Sequence, residues 1–307
     1  MERILAMAVG PNMSLIIDSA DKLAHARPYV AGLVSGLTRQ LGTDYVIDYR
    51  ERELDQLVPG SAAEAFRSDQ PIKLIFAMSS TVVVAAESLP QSPPIIWPSV
   101  SDWTMDQITK KNSAGVSARR SQSAGDCLLR FLATVPTLET VHALHNPGYP
   151  PSDRALALVR RVARAKNINV CVMPVKSTPD IKKQLDTLSR RDTKAPAFEG
   201  VLPMPIDVCF GAARMIIHEA QEIRKIPVFL ATTDLVRPEL PSALGGFGVS
   251  QHRCGMLAAE FVNHVAFANG KAAALPVKEA AASDFEWIVS IAAANDLNIP
   301  IVQMKTI

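Results

Sequence analysis

The spacing of apolar positions changes several times along the chain, and each change marks a new element. Ile4 to Val9 is apolar without interruption and stops at Gly10-Pro11, as a strand covered on both faces would. From Pro28 the spacing becomes helical: Val30, Leu33, Val34, Leu37 and Leu41 recur every three or four residues, and Gly42 supplies the stop. "YVIDY" predicts a second strand, and "LDQLVPGSAAEAFRS" a helix after Pro59. "KLIFAM", "TVVVAAESL" and "PIIWPSV" then read as strand, helix and strand. Strands alternating with helices predict a parallel sheet covered by helices on both faces.

The alternation restarts after Asn112. Helices are predicted in "SAGDCLLRFLATVP", in "PSDRALALVRRVARAKN" with Ser152 as its candidate N-cap, and in "TPDIKKQLDTLSRR" with Thr178 capping and Pro179 at the first position. A fourth is predicted in "VCFGAARMIIHEAQEIR". Between them "TVHALHN", "INVCVMPV", "EGVLPMP" and "IPVFLAT" read as strands. Gly245-Gly246 is read as a break, and "GGFGVS" as a turn. A helix around Met256–Ala268 and a strand in "FEWIVS" close the pattern. The expected fold class is α/β: two doubly wound parallel-sheet lobes joined by a hinge, with a ligand cleft between. The expected division is 1–114 plus 247–283 for the first lobe and 115–246 plus 284–307 for the second.

Composition changes this picture little. The chain has 307 residues, 48% hydrophobic and 20% charged, enough for two cores. The net charge of +2, from 32 basic and 30 acidic residues, gives no reason to expect nucleic acid or an anionic membrane as partner. Cys127, Cys171, Cys209 and Cys254 form no CxxC pair and are read as small buried residues; a Cys171–Cys209 bridge would need neighbouring elements to bring them together. At the N-terminus Glu2 offsets Arg3 and the apolar run ends early, so no signal peptide is expected in this chain. The protein is then either cytoplasmic or a mature exported form beginning at Met1. No run approaches the roughly 20 apolar residues of a membrane-spanning helix.

Candidate chemistry follows from the topology. In open parallel α/β sheets ligands sit outside the carboxyl ends of the strands. The loops expected there are Gly10–Ser14, Met78–Thr81, Ser99–Trp103, Asn146–Tyr149, Met204–Asp207 and Thr232–Asp234, all rich in Ser, Thr, Asn and Asp. Ser79, Ser80 and Thr81 fall where a strand hands over to a helix. There they either cap the helix or, with its free N–H groups, hold a carboxylate or phosphate. Catalytic patterns are missing: the sequence has no GxSxG, GxxxxGK[ST] or GxGxxG. His142 and His145 are three apart on a predicted strand and face opposite ways, which argues against a shared metal. His218, His252 and His264 are read as surface or capping histidines. No catalytic residue, metal or cofactor is expected.

Several blocks carry a resemblance. "GKAAALPV", "FEWIVS" and "AANDLNIP" near the C-terminus, "PIIWPSVSDW", "ALHNPGYPPS" and "SALGGFGVS" resemble, in order, blocks of the ABC transporter substrate-binding protein family with the type I periplasmic-binding fold. The likeness extends from about Val30 to the end. The family's Ser-Tyr-Gly segment is Val249-Ser250-Gln251 here, and its Asp-Pro is Asp102-Trp103.

The resemblance implies a carrier, not an enzyme. Its two lobes would close on a small solute, an amino acid or related carboxylate and possibly an aromatic one, and present it to an ABC permease from the periplasmic or extracellular side, as a monomer. The implied ligand-binding positions are Ser79, Ser80, Thr81, Ser101, Asp102, Trp103, Asn146, Tyr149, Asp207, Thr232 and Asp234. Hydroxyls and helix N–H groups of the first lobe would take a carboxylate, and Asp207 or Asp234 an amino group. Either Asp also reads as a helix cap or turn former, and Trp103 either stacks on an aromatic solute or covers a loop. Two other readings stay open: a cytoplasmic small-molecule sensor, and an enzyme on a two-lobed α/β fold.

Overall fold

The computed structural model describes residues 2–11, 27–42, 45–54, 74–77, 80–88, 91–100, 108, 112–268 and 270–301; for 2–11, 27, 45–54, 80–82, 85, 207 and 267 it describes the backbone alone. The predicted helix after Pro59 lies outside the described residues. The chain divides into two compact units, Met1–Arg119 with Gln251–Ala281, and Arg120–Ser250 with Ala282–Ile307.

The first unit is a six-stranded, all-parallel sheet. Its strands are β1 (Glu2–Pro11), β2 (Tyr45–Leu54), β3 (Leu74–Ala77), β4 (Ile95–Val100), β5 (Ser113–Ser117) and β11 (Lys278–Glu279), in the order β11-β5-β4-β3-β1-β2. All residues of β3 and β4 are buried; β3 reads as an unbroken apolar run and β4 as an apolar one apart from buried Ser99. β5, "SAGVS", was not legible as a strand because it has no apolar run, yet every residue of it is buried. Its Gly115 backbone lies against Trp97 of β4, where a Cβ would come 2.1 Å from the Trp97 carbonyl oxygen. Helix α1 (Arg27–Leu41) stops where predicted: Gly42 has φ +70° and its N–H reaches the Thr38 carbonyl at 2.9 Å. Helix α2 (Ser80–Glu87) follows β3.

The second unit carries β6 (Thr140–His145), β7 (Asn169–Pro174) and β8 (Glu199–Pro203), in parallel order β7-β6-β8. β9 (Phe229–Leu230), β10 (Gly245–Gly248) and β12 (Glu286–Val289) form a second group, with β12 antiparallel to β10. A parallel bridge between Val201 and Val228, with Val201 N–H donating to the Pro227 carbonyl at 2.9 Å, joins the groups. The parallel strands therefore share one carboxyl edge. Helices α3 (Ala124–Thr134), α4 (Pro150–Lys166), α5 (Thr178–Leu185) and α6 (Asp207–Gly211) connect them. Two clusters fill the core. One contains Phe131 stacked on Phe229 at 5.1 Å; the other contains Leu144, Ile181, Leu185, Val201 and Ile216.

Four local expectations are corrected. "GGFG" is strand β10, not a turn. Its glycines serve close approach: a Cβ on Gly246 would lie 2.1 Å from the Thr232 carbonyl oxygen, and one on Gly248 2.6 Å from that of Ala231. Helix α4 begins at Pro150, with Tyr149 at the N-cap position, because two prolines suit a first turn that needs no intrahelical N–H donors. Ser177 rather than Thr178 caps α5, its hydroxyl accepting from Asp180 N–H at 3.3 Å. The single helix predicted from Val208 to Arg224 is interrupted at Ala212; α7 (Ala213–Ile216) runs on as a π-helix over Ile217–Ile223. Helix α8 (Gln251–Val262) belongs to the first unit, and α9 (Ile291–Asp296) to the second.

Candidate functional site

Three strand exits on the carboxyl edge of the second unit, those of β6, β8 and β9, carry the candidate residues. At the first, β6 ends in His145 and the chain turns through Asn146-Pro147-Gly148-Tyr149 into α4. Gly148 takes φ +82°, a conformation that favours glycine, and Tyr149 N–H returns to the Asn146 carbonyl at 3.3 Å. Asn146 N–H donates to the Ser152 hydroxyl at 3.1 Å, and Ser152 is wholly buried. That bond explains why a serine sits at the third helical position rather than at the cap.

The second exit is Met204–Ile206, with Met204 N–H held by the Leu144 carbonyl at 3.0 Å. It leads into α6, whose first residue is Asp207, Ile206 taking the N-cap position. The third exit, after β9, is Ala231–Asp234. Thr232 is buried; its hydroxyl donates to the Asp234 carboxylate and accepts from Asp234 N–H at 3.5 Å. Thr233, also buried, donates to Glu286 at 3.2 Å. β10 runs beside this loop with only glycine backbone against it, so the Thr232 carbonyl and the turn above it are fixed from below. β8 lies between β6 and, through the Val201–Val228 bridge, β9, so the Asn146 and Thr232 turns leave one edge two strand positions apart.

The sequence-derived candidates divide accordingly. Asn146, Tyr149, Thr232 and Asp234 come together on this edge, with the backbone of Asp207 between them. In the first unit Ser80 and Thr81 open α2, as the strand-to-helix pattern predicts, and only their backbone is described. Ser79, Ser101, Asp102 and Trp103 lie outside the described residues.

Three features of the edge were not read from the sequence. Arg120 is buried, 4% exposed, with its guanidinium 5.0 Å from the centre of the Phe210 ring on α6. His145 Nε2 lies 2.7 Å from Asp153 Oδ1. Cys127 lies beneath the third exit, its Sγ 3.4 Å from the Leu230 carbonyl oxygen, and burial pushes its thiol from 9.0 to about 12. Arg120 sits in the polar "ARRSQS" run, which carries no period. A histidine next to Asn-Pro-Gly with an aspartate eight residues on was a readable hint, but not a decisive one.

All four cysteines are free thiols. His142 lies 3.4 Å from Glu199 and His145 pairs with Asp153, on opposite faces of β6 as the period of two requires. Exposed His218 lies 2.6 Å from Glu222 one helical turn on. Among the described residues no three His, Cys, Asp or Glu side chains group so as to hold a metal, and no helix is long and apolar enough to cross a membrane.

Two parallel α/β units with polar turns at the strand ends define the type I periplasmic-binding fold, and known structures share it. A conserved domain protein from Vibrio cholerae O1 biovar El Tor is similar over 97% of this chain and 96% of its own, at 17% identity and TM-score 0.70. The ABC domain in complex with L-Trp from Streptococcus pneumoniae is similar over the same shares, also at 17% identity and TM-score 0.70. A ligand-free, open substrate binding protein with adhesive properties from Clostridium difficile is similar over 100% of this chain and 98% of its own, at 19% identity and TM-score 0.61. No curated protein sequence matches. The model of the ABC transporter substrate binding protein family matches residues 29–304, and the chain belongs to that family.

Proposed function

We propose that the protein is the solute-binding component of an ABC transporter and captures an amino acid or related small carboxylate, with aromatic side chains within its range. The observation that carries this reading is the polar edge of the second unit. Asn146 and Asp234 sit on turns whose backbones are fixed by buried Ser152 and Thr232, and Tyr149, partly buried against the Leu144 cluster, ends the Asn146 turn. Asp234 suits an ammonium group. The start of α2 after β3, with Ser79, Ser80 and Thr81, suits the carboxylate through N–H groups and hydroxyls. Family membership supports transport, and the L-Trp complex of the pneumococcal neighbour supports an amino acid. The chain passes between units at 119–120, 250–251 and 281–282, which permits hinge closure on the solute without unfolding either unit.

In this role the chain is a carrier rather than a catalyst, acts as a monomer with an ABC permease as its partner and without nucleic acid, needs no metal or cofactor, and works in the periplasm or outside the cell. A thermal-shift screen with the standard amino acids and small carboxylates tests the reading. A bound solute at 100 times its dissociation constant adds about 2.7 kcal/mol of stability. Replacing Ser79 and Ser80 together by Ala should weaken that solute at least tenfold, about 1.4 kcal/mol. A lower melting temperature with unchanged affinity would make the two serines helix punctuation.

A further inference from the structure

We propose that His145 and Asp153 form a positioning pair that fixes the Asn146–Tyr149 turn in the geometry in which it meets solute. The inference rests on the solute-binding reading above. His145 is the last residue of β6 and 6% exposed, so its ring is held by the core. Its backbone is held too, the carbonyl accepting from Val175 N–H at 2.8 Å. Asp153 stands in the first turn of α4, and its carboxylate is half exposed. The 2.7 Å contact between them closes a loop of chain whose ends are the strand exit and the helix start. A carboxylate only accepts, so Nε2 of His145 carries the proton and donates.

The turn inside this loop is fixed at further points. Asn146 N–H goes to the Ser152 hydroxyl at 3.1 Å, and Ser152 and Asp153 N–H groups go to the Tyr149 carbonyl at 2.9 and 3.0 Å. Those bonds set the backbone within the turn. The His145–Asp153 bond joins the rigid strand to the helix by side chains and so sets where the whole turn stands above the sheet edge. Rigid support of this kind lowers the ordering cost of binding. On β6 the other histidine does no such work: His142 reaches Glu199 of β8 at 3.4 Å, away from any strand exit.

The test uses the full chain and variants that remove or keep the bond. Asp153→Ala removes the acceptor on the exposed side, where folding is not at stake, and His145→Phe removes the donor. Asp153→Asn keeps an acceptor oxygen and His145→Gln a donor nitrogen. Amide hydrogen exchange at Asn146, Tyr149 and Ser152 is read beside Val141 and Ala143 in β6, and affinity is read by calorimetry with L-tryptophan as probe. Expected are exchange at least tenfold faster in the turn alone and L-tryptophan affinity at least fivefold weaker for the Ala and Phe variants, with the Asn and Gln variants within threefold of the parent. Unchanged exchange in the turn, equal acceleration throughout β6, or parent-like affinity despite a loosened turn would each overturn the proposal. If the parent gives no saturable heat with L-tryptophan, the failure belongs to that solute, and the exchange comparison still decides whether the pair fixes the turn.

Discussion

Gly246 shows how closely single residues set the carboxyl edge of the second unit. Its backbone passes the Thr232 carbonyl with no room for a methyl group, so Gly246→Ala must push the Thr232–Asp234 turn or strain β10. Overpacking of this kind costs about 1–3 kcal/mol, which denaturant unfolding would read, and the displaced turn should also lose solute affinity. The thiols give a second test at this scale. Burial pushes Cys127 up to about 12 and raises Cys209 further, and Cys254 is wholly buried, whereas Cys171 is partly exposed. Since the thiolate is the reactive form, iodoacetamide at pH 8 should label Cys171 first and the other three only on unfolding. Early labelling of Cys127 in the native protein, located by mass spectrometry, would contradict the packing described.

At the scale of elements, two interfaces carry predictions. Helices α1 and α8 touch backbone to backbone. A Cβ on Gly32 would stand 1.9 Å from the His252 carbonyl oxygen, and one on Gly255 2.0 Å from that of Tyr29. Gly32→Ala should therefore cost about 1–3 kcal/mol, although alanine is the better helix former. In the second unit Glu219, on the π-helical turn, accepts from Lys182 of α5 at 2.8 Å and from Arg224 at 3.0 Å, while Arg224 also reaches Asp186 at 2.7 Å. The Lys182 bond, helped by Arg224, holds the Glu219 carboxyl below its ordinary value of 4.5. A lowered folded value means that this stabilisation is present above 4.5 and is lost as the pH falls through the folded value. Glu219→Gln should lower the melting temperature at pH 7, and the gap to the parent should close in strong acid; a constant gap would mean that packing rather than charge is at work.

Most elements were legible because their periods are clean: α1 with its Gly42 stop, β3, β4, β6 and α5 fall where apolar spacing places them. β5 was not, because a strand that packs through Gly115 against Trp97 needs no apolar run. "GGFG" was misread because glycine commonly marks turns and here serves close backbone approach. On the carboxyl edge of the second unit, the positions of Asn146, Tyr149, Thr232 and Asp234 were legible from strand order, since polar residue types crowd the strand ends. His145–Asp153 and Arg120–Phe210 were not, since each joins positions that only the folded chain brings together.

For the whole molecule, two parallel-sheet units and family membership leave one central claim open to direct attack: this chain binds a small carboxylate solute. Calorimetric titration of the full chain with the standard amino acids, each beside its analogue lacking the carboxyl group, addresses it most directly. The predicted result is saturable one-to-one heat with at least one amino acid and a loss of affinity of at least tenfold for its decarboxylated analogue, the decade that about 1.4 kcal/mol represents. No saturable heat with any of them, or equal affinity for acid and analogue, would contradict it.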